Sequence, residues 1–238
     1  MALARDTKTN AAGVGSGTTA LTWSHTCTGS SLGLFVIVGG WFSNASPAIT
    51  VTYNSVSMTG LTLSRNSTSG DCQQIFYLVA PSTGSNTVSV GHASSNWEMV
   101  CTSISFTDCH QTTPMGTVSN ATGNGTAITT TVTTVSGDYA VDGCSFDSSS
   151  GSRTGTMTAH TGRTEICNQV AGTGDRGCHS EMTAPGTSQA CEWTASSTVQ
   201  WAQSAVAVKP IASQDTPELY GRPMGVRGQN QMHQLLAQ

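Results

Sequence analysis

Short apolar runs and strict alternation, punctuated by Gly, Asn, Ser and Pro, set the rhythm of the chain from residue 21 to residue 209. Ile75 to Ala80 is a run of β-branched and aromatic residues, and Thr87 to Val90 then alternates Val88 and Val90 with Thr87 and Ser89. The run fits a buried strand and the alternation a half-buried one. Between them Pro81 cannot donate to a ladder and Gly84 permits positive φ, so the stretch reads as a hairpin corner of a scaffold. Nothing in it titrates near neutral pH.

The same patterns predict strands over residues 21–27, 33–42, 48–53, 57–63, 73–80, 86–92, 98–108, 127–135, 138–146, 181–184, 190–195 and 199–209. Inward positions fall at Val100, Ile104 and Phe106, at Ile128 and Val132, and at Tyr139 and Val141. With Trp41, Phe76, Leu78, Trp193 and Trp201 these are expected to form the core between two sheets. Many short strands with turn signals between them predict an all-β fold, an antiparallel two-sheet β-sandwich or jelly roll, over residues 21–210.

Composition sharpens this. The 238 residues are enough for one large β domain, and 68 are Ser or Thr, which disfavours helix and suits a sheet with a hydroxylated solvent face. Only 9% of residues are charged, but 37% are hydrophobic, so the chain is not a disordered polar tract. A net charge of −4 with scattered Lys and Arg argues against nucleic acid as a partner. No apolar stretch approaches the length of a membrane span or a signal peptide. That absence, beside a composition poor in Lys and rich in Ser, Thr and Gly, points to a virion or extracellular surface.

Three regions break the rhythm. Residues 1–20 read as an N-terminal arm, with Gly13 to Gly17 as a flexible linker. Residues 147–180 are polar and Gly-rich and read as an elaborate surface loop. Residues 211–238 carry Pro217 and Pro223 and read as a C-terminal arm, helical at most over residues 229–238. Leu219, Tyr220, Met224, Leu235 and Leu236 are its expected assembly contacts.

Candidate chemistry is sparse. Eight cysteines in an oxidising setting allow up to four disulfides, and Cys167 and Cys178, flanking a Gly-rich loop, are the candidates for a local bridge. Cys109-His110 and Cys178-His179 are adjacent pairs without zinc-site spacing. GTGDRG at residues 172–177 matches GxGxxG but lacks the preceding buried strand and following helix that a phosphate cradle needs. His25, His92, His110, His160, His179 and His233 belong to no nucleophile signature and read as surface or loop residues. Glu98, Glu165, Glu181 and Glu192 could supply a glycosidase pair, but no aromatic cluster stands beside them in sequence. Asp138, Asp142, Asp147 and Asp175 lie at strand ends, where calcium is a possible ligand and turn capping the competing role. Asn44, Asn66, Asn120 and Asn124 stand in sequons.

The order VTYNSVSMTGL, IFYLVAPSTGSNTVSV, ISFTDCHQTTPMG, VTTVSGDYAVDG and CEWTASSTVQWAQSAVAVKP resembles a group of β-sandwich domains in uncharacterised bacterial and phage proteins. The resemblance implies a jelly-roll-like sandwich with a structural or adhesive role and no catalytic residues. The expected function is therefore a non-enzymatic structural subunit of an extracellular or virion assembly, a capsid decoration protein or a fibre or filament subunit, forming a homo-oligomer or polymer, with no cofactor required. The alternative is a carbohydrate-binding module, for which Trp23, Trp97 and Tyr53 are the candidate platforms.

Overall fold

A computed structural model describes residues 2–16, 20–94, 96–147, 157–159, 161–172 and 174–211. Among these every regular element is a strand and the pairing is antiparallel, as the alternation predicts. Three sheets stack. The front sheet runs β2 (Leu21–Cys27), β9 (Gly84–Gly91), β4 (Thr50–Tyr53), β5 (Val56–Ser57). The middle sheet runs β1 (Ala4–Ser16), β10 (Asn96–Thr107), β3 (Gly33–Phe42), β8 (Asp71–Val79), β6 (Thr59–Gly60), with β7 (Ser64–Arg65) also on β8. The back sheet runs β11 (Ser119–Thr133), β16 (Ser188–Val208), β12 (Tyr139–Asp147), β15 (Asp175–Thr183), β14 (Thr164–Ala171), with β13 (Met157–Ala159) on β16.

The central strands of the middle sheet, β3 and β10, have no solvent face. On β3, Leu34, Val36 and Val38 enter the front core with Val51, Tyr53, Val88 and Val90, while Phe35 and Ile37 enter the rear core with Ile104, Phe106, Val141 and Val206. A strand covered on both sides needs no polar face, so LFVIV is a continuous apolar run. On β10, Ile104 and Phe106 face the rear as the pattern predicts, and Met99 and Cys101 fill the front core on the other parity.

A fourth layer comes from one strand pair. β11 and β16 stay in register along nearly their whole length, except that Gly125 opposes Val199 and Ala127 opposes Thr194. The β16 side thus carries four residues, 195–198, where β11 carries one. The extra residues form a corner, and the ribbon folds back over its own sheet. Gln203 Nε2 donates to the Cys191 carbonyl at 3.0 Å, although twelve residues of straight strand would span about 40 Å. Ser119 Oγ and Thr130 Oγ1 likewise meet at 3.0 Å. Trp193 of the returning arm packs with Ile128, Phe146 and Trp201. The two strands expected at 190–195 and 199–209 are the two arms of this bent one.

Several expectations change. Residues 75–90 are not a hairpin: β8 belongs to the middle sheet and β9 to the front sheet, so Pro81 to Gly84 arch between layers. Tyr53 Oη sits under the arch, 3.1 Å from the Ser82 carbonyl and 3.2 Å from that of Gly84. The N-terminal stretch is an edge strand instead of an arm, and Gly13 lies in its ladder opposite Met99. The expected loop at 147–180 contains β13, β14 and the start of β15, where Ile166, Cys167, Ala171 and Cys178 supply buried apolar positions among the described residues. Residues 212–238, with Leu219, Tyr220, Met224, Leu235, Leu236 and the expected helix, lie outside the described residues. No helix among the described residues is long and apolar enough to cross a membrane.

Glycines set the distance between the middle and back sheets. A Cβ added at Gly143 would stand 2.5 Å from both Gln73 Nε2 and Ile37 Cγ2, and one at Gly177 would stand 2.4 Å from Val100 Cβ. Overpacking of this kind forces backbone shifts. Gly143→Ala and Gly177→Ala are each expected to lower stability by about 1–3 kcal/mol in urea denaturation. Gly186→Ala, where a Cβ meets nothing within 4 Å, is the control and should shift it by less than about 0.5 kcal/mol.

Candidate functional site

Two polar clusters and two grooves of ≈ 470 Å³ hold chemistry-bearing side chains, one groove lined by Arg65, Asn66 and Gln200 and the other by Arg5, Tyr139 and Glu181. The first cluster lies under the folded-back ribbon. On β12 the even positions Ala140, Asp142, Cys144 and Phe146 face the ribbon, so Asp142 stands in an otherwise apolar row. Its carboxylate accepts from Arg163 Nη2 and Ser180 Oγ on Oδ1, and from Trp193 Nε1 at 2.8 Å and Gln203 Nε2 at 3.2 Å on Oδ2. Arg163 Nε donates in turn to Ser180 Oγ at 2.6 Å. The Arg163 and Asp142 side chains are 1% and 0% exposed. Burial works against the guanidinium's charge, but Asp142 and Cys191 beside it together outweigh that, so Arg163 holds its proton more tightly than usual.

The second cluster joins the front and middle sheets along β1. A bulge between Arg5 and Lys8 turns Asp6 and Thr7 toward Ser105 of β10. Asp6 Oδ2 accepts from Ser105 Oγ at 2.8 Å and from the Thr28 amide at 2.8 Å. His25 of β2 meets Ser105 Oγ at 3.2 Å through Nε2 and Thr9 Oγ1 at 3.2 Å through Nδ1. Since Ser105 gives its proton to Asp6, its oxygen is left to accept, which assigns the imidazole proton to Nε2. Serine, histidine and aspartate thus converge, but in an order unlike a catalytic triad. There the carboxylate orients the histidine, and here it binds the serine.

Three histidines expected at the surface are buried: His25, His92 and His179. His92 sits between the rings of Phe42 and Trp97. His179 meets Thr102 Oγ1 at 2.8 Å through Nδ1, and Thr102 donates to Asn10 Oδ1. The rings of His25 and His179 fill inward positions of β2 and β15, a placement set by side-chain period, and His92 follows the end of β9. Only His110 of the six is described and partly open, its Nδ1 accepting from the Thr113 amide at 3.1 Å. His160 and His233 lie outside the described residues.

The second groove opens where β1 passes the end of the back sheet, between Arg5, Tyr139, Thr164 and Glu181. Arg5 Nη1 pairs with Glu181 Oε1, and Glu181 Oε2 is buried without a hydrogen-bond partner. Burial pushes the Glu181 carboxyl above the usual range, with Arg5 opposing. Thr164 is opposite Glu181 and Glu165 opposite Ser180, so Glu165 and Glu181 occupy opposite faces and form no pair. Glu98 accepts from the Asp175 amide at 2.9 Å.

The remaining candidates are structural. Among the described residues no three His, Cys, Asp or Glu side chains gather where a metal ion could sit. Asp138 accepts from Lys209 Nζ at 2.8 Å and from the Val135 amide, and the side chain of Asp147 lies outside what is described. Within GTGDRG, Asp175, Arg176 and Gly177 are ladder residues of β15, opposite Ala171, Val170 and Gln169 of β14, and Thr173 lies outside the described residues. Tyr53 and Trp97 are core residues, and half-buried Trp23 donates to Ser103 Oγ at 2.9 Å, so none of the three is an open platform. Asn66 and Asn120 spend their carboxamides on the Gly123 and Thr62 carbonyls. All eight cysteines are free thiols. Cys167 is opposite His179 and shares its face, while Cys178 faces the ribbon, so the two expected to bridge lie on opposite sides of the sheet. No family model, curated protein or solved structure matches the chain.

The clusters were legible in part. Leu21, Trp23, His25 and Cys27 occupy one parity of β2, and an imidazole in an apolar row signals burial. Asp142 between Ala140 and Cys144 signals the same. Their partners Asp6, Ser105, Arg163 and Gln203 come from distant strands, and no local signal names them.

Two outcomes follow from these geometries. Asp142→Ala strands Arg163 as an uncompensated buried cation, so a loss of about 3–5 kcal/mol is expected in urea denaturation, partly recovered by adding Arg163→Met. Burial lowers His25 from 6.5 to about 4 and His179 to about 3, against weak opposition from Asp6 at His25. Below pH 6.5 the unfolded chain binds protons that the folded chain refuses, so stability is complete at neutral pH and falls as pH drops toward 4. Each histidine should contribute about 1.4 kcal/mol per pH unit. Melting curves across this window should show the loss, and His25→Gln should remove about half of it.

Proposed function

We infer that the protein is a non-enzymatic structural subunit of an extracellular or virion assembly, such as a capsid decoration protein or a fibre or filament subunit. The observation that carries this reading is the inward placement of reactive chemistry. His25, His179, Asp142, Arg163 and the cysteines lie between layers, joined to other strands. The solvent side of β2 presents Thr22, Ser24 and Thr26, and that of β11 presents Thr129, Thr131 and Thr133. A building block needs stiffness and a solvated exterior, whereas an enzyme needs reachable groups.

Residues 211–238 supply the linkage in this reading. Ordering a residue costs roughly 1–2 kcal/mol, and burying a large apolar side chain returns roughly 1.5–3 kcal/mol. Leu219, Tyr220, Met224, Leu235 and Leu236 therefore hold the segment on a partner surface, in a neighbouring copy or a capsid protein. A carbohydrate-binding or adhesive role is the second reading, favoured by the groove, where half-buried Tyr139 can pack a sugar face and Arg5 and Glu181 can bond its hydroxyls.

The full chain is expected to sediment as an oligomer or polymer, and a chain ending at Ile211 as a monomer with an unchanged melting temperature. A full chain that remains monomeric at high concentration overturns the reading.

A further inference from the structure

Cys144 and Cys178 are the directly opposed residues of β12 and β15 in an antiparallel ladder. Residues so opposed share a face, with Cα atoms about 4.5–5.5 Å apart, inside the about 4.4–6.8 Å range that a disulfide spans. The side chains behave accordingly: both belong to the apolar cluster under the ribbon, and burial together with the neighbouring Cys178 thiol pushes the Cys144 thiol up. Cys178 Sγ also donates to Asn168 Oδ1 at 3.3 Å, which holds it on that face. Among the other ladders of the described residues, none opposes cysteine to cysteine. We propose that Cys144 and Cys178 form a cross-strand disulfide when the chain folds in an oxidising compartment, with a thiol-exchanging disulfide as oxidant.

The chemistry balances as an exchange. The thiolate of one cysteine attacks the oxidant R–S–S–R, forming a mixed disulfide and releasing one R–S⁻. The second cysteine's thiolate displaces the other R–S⁻, so the oxidant gains two electrons and the two cysteine protons end on two R–SH. Both cysteines are fully buried in the finished fold, in the cluster that Trp193 of the folded-back ribbon completes. The exchange therefore belongs to the stage at which β12 and β15 have paired and the ribbon has not yet closed. Once the ribbon lies over them, the bridge is shielded from reductant. It clamps the base of the whole excursion from residue 145 to residue 177.

The test is refolding of the full chain from denaturant in a buffer of reduced and oxidised glutathione, followed by denaturing alkylation, digestion and mass spectrometry. The expected product is a peptide pair joined through Cys144 and Cys178. The oxidised protein should melt about 5–15 °C above the same protein after reduction. The reduced wild type is the reference, so the comparison does not depend on a substituted core, and Cys167→Ala should leave the link intact. Native-like protein in which Cys144 and Cys178 are both alkylated, or are joined to other cysteines, overturns the proposal.

Discussion

A single carboxylate organises the rear half of the molecule. Asp142 has four donors, from the segment before β14, from β15, and from both arms of β16. In a medium of low polarity an unmatched charge of this kind is costly, so the ribbon, the sheet beneath it and the 161–163 segment must all reach their final places together. A well-packed apolar core could tolerate sliding of the ribbon. The directional bonds to Asp142 allow one seat for Trp193 and one for Gln203.

The same logic joins the other layers. β1 is an edge strand of the middle sheet, yet it bonds in three directions: Asp6 to Thr28 of the front layer, Asn10 Nδ2 to the Ile166 carbonyl of the back sheet at 2.7 Å, and its ladder to β10. Where the middle and back sheets come closest, glycine replaces side chains, and Val100 and Ile37 fill the space left at Gly177 and Gly143. Apolar area drives the stacking, while hydrogen bonds at the rims fix how each layer sits on the next. An imidazole kept neutral by burial suits these joints because it offers one donor and one acceptor without a charge.

This arrangement bears on function through access. Groups that could act on a solute stand between sheets, and the open Arg5–Glu181 groove is the principal place where charge, an aromatic ring and hydroxyls face a shared space. The exposed large apolar residues among those described are single valines, Val56, Val135 and Val170. Isolated apolar residues of this kind are normal on a solvated surface.

Side-chain period and turn chemistry are local properties, and they were enough to read most strands, the all-β class and the antiparallel pairing directly from the chain. They also marked the inward residues of β10 and β12, because alternation records which face is covered. Layer number was not legible: LFVIV reports burial on both faces without saying what covers them. Hidden for the same reason were the bend of β16 at residues 195–198 and the arch at residues 81–84, since a corner within a ribbon and a turn between sheets carry the same Gly, Ser and Pro signals as a hairpin. Cysteine spacing suggested Cys167 and Cys178, whereas strand register put Cys144 opposite Cys178 and Cys167 on the other face. Sequence neighbours share a face only by parity, but partners across a sheet are set by register. Register is fixed by the packing of the whole stack, so only the tertiary structure decided which thiols, and which partners of Asp142 and His25, would meet.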